Sequence, residues 1–488
     1  MADVEFDADG NDMSAARHSR RDVIRGGARY VAGASVAAHI LAATGAGDAF
    51  AQELRGVAAR TGKRGYGPLV KTGGDMSLPR GFRAVSFDAL GTVMSDGNKL
   101  PGNHDGSACV GAGVKGQAAI FRNHEEETIS KAMAPKGAYD RSAPGGVTKA
   151  IFDTEKGIHV ASAVVLAGTA NNCNGGLTPW GSWLTCEEMT DGRRQGFEKD
   201  HGYIFEVPLD ATGPVEAVPL KAMGRFEHEA CAVDPKTGIV YITEDNGDPA
   251  DGFYRFLPHT RGKLQRGGVL QMLCVQGRSR YDTASGQKVG KRLRCEWVTI
   301  RDPDPSDADK HPDAVYQQGL AQGAASFVGL EGARWHRGHV YFSATEGGDA
   351  EVGQIWRYTP GPTARQGGIL TLVYESPGRK TLDCPDGLEI SPRGGVMLCE
   401  GGDGNEVDGG DNYIRILSPQ GKIEPFARND APLDLHEYDD EDFPKPGPIG
   451  RSEWSGLCYS PDGKWMFVSI SNPGKTYAIT GPWENGWA

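Results

Sequence analysis

The sequence predicts an all-β fold, a β-propeller counted at six blades and carrying loop insertions. Three observations predict it. The 488 residues include 70 Gly and 29 Pro, with 38% hydrophobic residues. That is too much Gly and Pro for a helical protein and too much apolar content for a disordered one. Sustained helical periodicity is hard to find after residue 52, and short strand-like runs bounded by turn residues recur instead. These runs form similar hairpins at intervals of roughly 50–70 residues, as propeller blades do. Length alone would suggest about three domains of roughly 150 residues, a prior that all-β rings break.

The N-terminus carries a separate signal. His18-Ser19-Arg20-Arg21-Asp22-Val23-Ile24 is a twin-arginine pattern, followed by the apolar run 30–43 and an A-x-A cleavage site at Ala49-Phe50-Ala51. Residues 1–51 are therefore expected to be a twin-arginine signal peptide, and residues 52–488 a single propeller domain. The twin-arginine translocation machinery is an expected partner, and the destination is periplasmic or secreted. The apolar run is short, Ala/Gly-rich and interrupted by His39, so no stable membrane anchor is expected. The net charge of −12 argues against nucleic acid as a partner and suits a protein that concentrates cations. A monomer is expected. The nine cysteines include no CxxC pair, which argues against a zinc ribbon.

Four runs define the hairpin: GIVYITEDN (238–246), GHVYFSATEGG (338–348), GGVMLCEGGDG (394–404) and GKWMFVSISN (463–472). Three of them enter through a Pro-containing turn that ends in Gly, namely 234–238, 391–394 and 460–463. Aligning the hairpins on the turn glycine exposes one position. Glu229 lies nine residues before Gly238, Glu331 seven before Gly338, Asp386 eight before Gly394 and Ser455 eight before Gly463, each followed by Ala or Gly. Cys173 lies eight before Gly181 in the stretch NNCNGGLTPWGSWLTCEE (171–188).

The innermost strand of a blade begins beside the central channel, so these five positions are expected to converge on one axis. Three carboxylates and a thiol brought together there repel one another unless a cation neutralises them. The small residue that follows suits the crowded backbone near the axis. The second strands also end acidic, at Glu187-Glu188, Glu244-Asp245, Glu346 and Glu400, and form a second tier or a rim. The successive ring spacings are 56, 102, 55 and 69 residues. The long gap, 230–330, holds an extra blade or an insertion, and residues 80–170 supply the remaining blade or blades. Carboxylates favour hard cations such as calcium, whereas a thiolate among them favours a transition metal such as iron.

These residues resemble the PhoX-type alkaline phosphatases. The resemblance rests on Phe121-Arg122-Asn123-His124-Glu125, the 171–188 block, Arg225-Phe226-Glu227-His228-Glu229, Cys384-Pro385-Asp386-Gly387-Leu388 and Glu453-Trp454-Ser455-Gly456, in that order along the chain. It implies hydrolysis of small-molecule phosphate esters, monoesters preferred, by calcium ions and iron (Fe3+) held in a propeller channel. The implied metal ligands are Cys173, Glu229, Glu331 and Asp386, with Glu187 and Glu188 matching the family's CEE without a choice between them. Asn123 and His124 are implied as a contact behind the ring or with substrate.

The chain departs from the family at Gly329-Leu330-Glu331, where Arg-Pro-Glu is usual and the arginine grips phosphate. Arg334 is the candidate replacement, reached through a bend at Gly332. Two other functions compete: a calcium-dependent lactonase-like propeller, which needs no cysteine ligand, and a non-enzymatic exported propeller plugged by metal.

Overall fold

Residues 65–72, 74–247, 250–363, 366–402, 411–431 and 452–488 are described by a computed structural model. The twin-arginine segment lies outside them. No helix among the described residues is long and apolar enough to cross a membrane.

Side chains alternate along each short apolar run, so both faces of every sheet are covered. In chain order the strands are β1 (Leu69–Lys71), β2 (Met76–Pro79) and β3 (Arg83–Ala89), then β4 (His104–Gly111), β5 (Gln117–His124), β6 (Gly145–Asp153) and β7 (Ile158–Thr169). Strands β4 to β7 form blade I, an antiparallel meander. Blade II is β8 (Asn172–Leu177), β9 (Ser182–Glu187) and β10 (Ile204–Pro208). Blade III begins with β11 (His228–Val233), β12 (Val240–Glu244), β13 (Phe253–Pro258) and β14 (Gly268–Val275). Strand β15 (Arg292–Thr299) links its edge to blade IV, made of β16 (Leu330–His336), β17 (His339–Ala344), β18 (Gln354–Thr359) and β19 (Ile369–Glu375).

Blade V is β20 (Pro385–Ile390), β21 (Val396–Glu400), β22 (Tyr413–Leu417) and β23 (Ile423–Asn429), extended by β2 and β1. Blade VI is β24 (Trp454–Tyr459), β25 (Met466–Ile470) and β26 (Lys475–Thr480), completed by β3. The pairing of β3 with β26 closes the ring with a strand from the opposite end of the chain. The described residues thus form the six blades that the hairpin count gave. The gap 230–330 is an insertion and not an extra blade: beyond blade III it holds β15 and the short helix Ala314–Leu320.

Six apolar clusters each lie between two neighbouring blades. Trp183 packs with Phe121 and Val147 between blades I and II, whereas Leu184, next in sequence, packs with Cys231 and Val240 between blades II and III. Phe253 and Phe342 stack between blades III and IV, with ring centroids 4.4 Å apart. The first strands β4, β8, β11, β16, β20 and β24 touch one another in that order and β24 returns to β4, so they line the central channel.

Candidate metal centre in the channel

All six channel-lining strands carry the same irregularity. Each pairs with its neighbour at its first residue, then slips before regular pairing resumes at Ser107, Gly175, Cys231, Ala333, Leu388 and Cys458. A bulge re-aims the side chain at the slip. The residues re-aimed are Asp105, Cys173, Glu229, Glu331 and Asp386; in the sixth strand Ser455 still pairs with Ser469 and the slip follows it, and all six residues are buried. At Gly106, Gly332 and Gly456 the small residue that follows is a steric requirement. A Cβ on Gly332 would sit 2.7 Å from the backbone N of Leu388, and one on Gly456 would sit 2.4 Å from the carbonyl of Asp105.

The side chains form three overlapping groups, each with its ligand atoms within 4.8 Å of one another. Asp105 and Glu125 meet Cys173; Cys173 meets Glu188 and Glu229; Glu229 meets Glu331 and Asp386. Cys173 and Glu229 are the shared members that join the groups into a chain. Burial, with Glu125, Asp386 and Glu229 around it, holds the Asp105 carboxyl well above the usual carboxylate range. Burial also raises the Cys173 thiol, and the charges of Asp105 and Glu188 add to the shift. The Oδ2 atom of Asp105 is buried with no hydrogen-bond donor. Such a cluster is costly as bare anions and is stabilised by cations. A thiolate among carboxylates on one side and an all-oxygen trio on the other fit a transition metal together with a hard cation.

The structure separates Glu187 from Glu188. Glu188 is in the ring. Glu187 points to the opposite face of β9, as strand alternation requires. Its carboxylate accepts hydrogen bonds from the backbone N–H groups of Ala170, Gly202 and Tyr203 (2.9–3.1 Å) and from His201 Nδ1 (2.7 Å). This corrects the option of Glu187 as a metal ligand: four protein donors already surround it. Glu244 and Glu400 occupy the same register and behave alike. Glu244 accepts from Gly252 N and Tyr254 Oη, and Glu400 from Asp383 N, Tyr413 N and Arg415 Nε. Glu187, Glu244 and Glu400 thus tie strands together.

Asn123 lies behind the ring. Its Nδ2 donates to the carbonyls of Cys173 (2.7 Å) and Asn174 (2.8 Å), and its Oδ1 accepts from Trp183 Nε1 (2.9 Å). Thr243 and Ser343 do the equivalent job one blade on, donating to the carbonyls of Glu331 and Asp386. Asn123 therefore fixes the bulge that aims Cys173. His124 does not reach the ring. Its ring nitrogens contact Gly102 O (3.0 Å) and Thr148 Oγ1 (2.8 Å), and burial lowers it to about 3, so it is a neutral scaffold group. Ser455 donates to the carbonyl of His104 and joins blade VI to blade I.

Arg334 does not replace the family arginine. Its Nε lies 3.1 Å from Glu389 Oε2, and its Nη1 donates to the carbonyls of Gly175 (3.3 Å) and Ala333 (3.0 Å), towards the far mouth of the channel. At the usual arginine position, Gly329 has φ +58°, and a Cβ there would lie 2.5 Å from Thr345 Cγ2. The local backbone thus has no room for a side chain.

Sequence reasoning missed Asp105 and gave Glu125 no role as a ligand. Asp105 carried the same signal as the others: Gly106 follows it, and Gly113 lies eight residues on. Glu125 and Glu188 each follow the residue paired with the start of their blade's first strand, so they are equivalent in register.

The family described as alkaline phosphatase PhoX matches residues 151–474. No curated protein matches the chain in sequence. Among solved structures, Pseudomonas fluorescens PhoX in complex with vanadate, a transition state analogue, is similar with a TM-score of 0.58 and 18% identity. That match covers 84% of this chain and 97% of the other. A gluconolactonase from Xanthomonas campestris matches with a TM-score of 0.36 and 12% identity, covering 82% of this chain and 99% of the other.

Proposed function

We take as premise that the chain belongs to the alkaline phosphatase PhoX family and is a phosphoric monoester hydrolase, and we propose that the six-strand ring is its active centre. The observation that carries this is the chain of three ligand groups sharing Cys173 and Glu229 inside a closed channel. The family is metal-dependent, and we assign iron to the groups that contain Cys173 and calcium to the oxygen-only trio. Bound cations supply positive charge against the phosphoryl oxygens as charge redistributes during in-line displacement.

The chain's own residues do the rest. Asp105, Glu125, Cys173, Glu188, Glu229, Glu331 and Asp386 would hold the cations. Asn123, Thr243 and Ser343 fix the backbone carbonyls behind those side chains, so little reorganisation is needed during reaction. The hydroxyl of Ser455 donates to a backbone carbonyl, which argues against a serine nucleophile. The neutral His124 and the far-facing Arg334 leave the grip on phosphate to the cations. The twin-arginine pattern at His18–Ile24 supports export to the periplasm or beyond, and we take the exported species to be a monomer with a single propeller domain.

The test is p-nitrophenyl phosphate hydrolysis by the purified mature protein, with and without added Ca2+. Calcium-dependent release of nitrophenolate is expected. No release under either condition would overturn the assignment.

A further inference from the structure

Arg334 spans the channel below the ring. From blade IV its guanidinium reaches Glu389 of blade V at 3.1 Å and the carbonyl of Gly175 of blade II at 3.3 Å. Its Nη2 lies 3.5 Å from Asn174 Oδ1, an oxygen that also accepts from Gly175 N at 3.1 Å. Arg334 and Glu389 are both largely buried, with 14% and 22% of their side chains exposed. Beneath them a cavity of about 430 Å3 opens at the far mouth of the channel.

Asn174 and Gly175 are the two residues after Cys173. The carbonyls of Cys173 and Asn174 are held by Asn123 from blade I. The Cys173 bulge is therefore clasped from two sides, by Asn123 of blade I and Arg334 of blade IV. A planar guanidinium suits this because one group can address a carboxylate and two acceptors in different directions. A lysine has the charge without the fork.

We propose that Arg334 is a positioning residue, a strut across the channel floor that keeps the Asn174–Gly175 turn, and with it the Cys173 side chain, in register with the ring. The inference rests on the metal-dependent hydrolase reading above. Arg334 acts through Cys173 and does not contact substrate. Its loss therefore affects metal retention and kcat more than KM.

The experiment compares the metal-loaded wild type with Arg334→Ala, Arg334→Lys, Glu389→Gln and, as a control, Arg337→Ala, an exposed arginine at the same mouth. The readouts are the rate at which EDTA strips metal, the visible absorption of the bound iron, kcat and KM, and thermal melting. Arg334→Ala is expected to release metal at least about tenfold faster, as loss of an outer-layer partner does. Its iron absorption shifts and its kcat falls at near-constant KM. Arg334→Lys and Glu389→Gln fall between it and the wild type, and Arg337→Ala matches the wild type.

If Arg334→Ala does not fold, the Lys and Gln variants decide. A metal-loaded wild type whose Arg334 and Glu389 variants keep its release rate, absorption and kcat overturns the strut alone. A wild type that binds no metal overturns the hydrolase reading and the strut with it.

Discussion

Glu187 and Glu188 are neighbours in sequence and point to opposite sides of the inner hairpin of blade II. Glu188 lies within 4.8 Å of Cys173 and Glu229, whereas Glu187 is enclosed by His201 and three backbone N–H groups. The two Glu→Gln substitutions should therefore fail differently. Glu188→Gln is expected to fold normally and to lose metal and turnover. Glu187→Gln removes one partner of a buried ion pair and is expected to lose about 3 kcal/mol of stability. Urea denaturation and metal content, measured on both variants, separate the two outcomes.

A pH dependence of stability follows from the same pair. Burial by itself would lower His201, but the Glu187 and Asp140 carboxylates outweigh it and raise the imidazole to about 9. The unfolded chain has an ordinary His near ~6.5. A raised pKa in the folded state stabilises fully below the unfolded value and is lost as pH rises through the folded one. Stability should therefore fall by about 3 kcal/mol between roughly pH 6.5 and 9. Urea midpoints across that window check this, with His201→Gln giving a flatter profile.

Asp105 is the strongest test of the ring as a repeat. It re-aims at the same bulge as Cys173, and its Oδ2 is buried without a donor. Asp105→Asn keeps the shape and removes the charge. It should cost at least about 100-fold in turnover, more than loss of an outer-layer partner does. Steady-state kinetics on the folded variant read this directly.

Asn123 and His124 form a matched pair for separating positioning from scaffold. Asn123→Ala frees the Cys173 carbonyl, and a loss of roughly 10–100-fold in metal affinity or activity is expected. His124→Ala leaves the ring untouched and should instead lower the melting temperature, with the activity of the folded fraction preserved. Metal titration and thermal melting on the two variants give the comparison.

Much of this was legible in the sequence because a propeller repeats one physical problem six times. The turn glycine, with the small residue after Glu229, Glu331, Asp386 and Ser455, sufficed to align those four positions and Cys173, which Asn174 follows. The same signal at Asp105 was overlooked because its hairpin was not among the four runs that defined the alignment, and it lacks the Pro-containing turn that marks three of them. The choice between Glu187 and Glu188 was not legible. It depends on which face of β9 meets the channel, and that is set by the bulge at Cys173–Asn174 across the hairpin. The direction of Arg334 was hidden for a related reason. The slip between Leu330 and Ala333 resets the alternation, so counting from Glu331 does not say where residue 334 points.

The central claim is that the ring binds iron through Cys173 and calcium through carboxylates and hydrolyses phosphate monoesters with them. Elemental analysis of the natively purified protein and of Cys173→Ala, alongside p-nitrophenyl phosphate turnover, tests it most directly. Iron and calcium together in the wild type, with iron and turnover lost and calcium largely kept in Cys173→Ala, is the predicted result. Wild-type protein without iron, or a Cys173→Ala variant with unchanged metals and turnover, would contradict it.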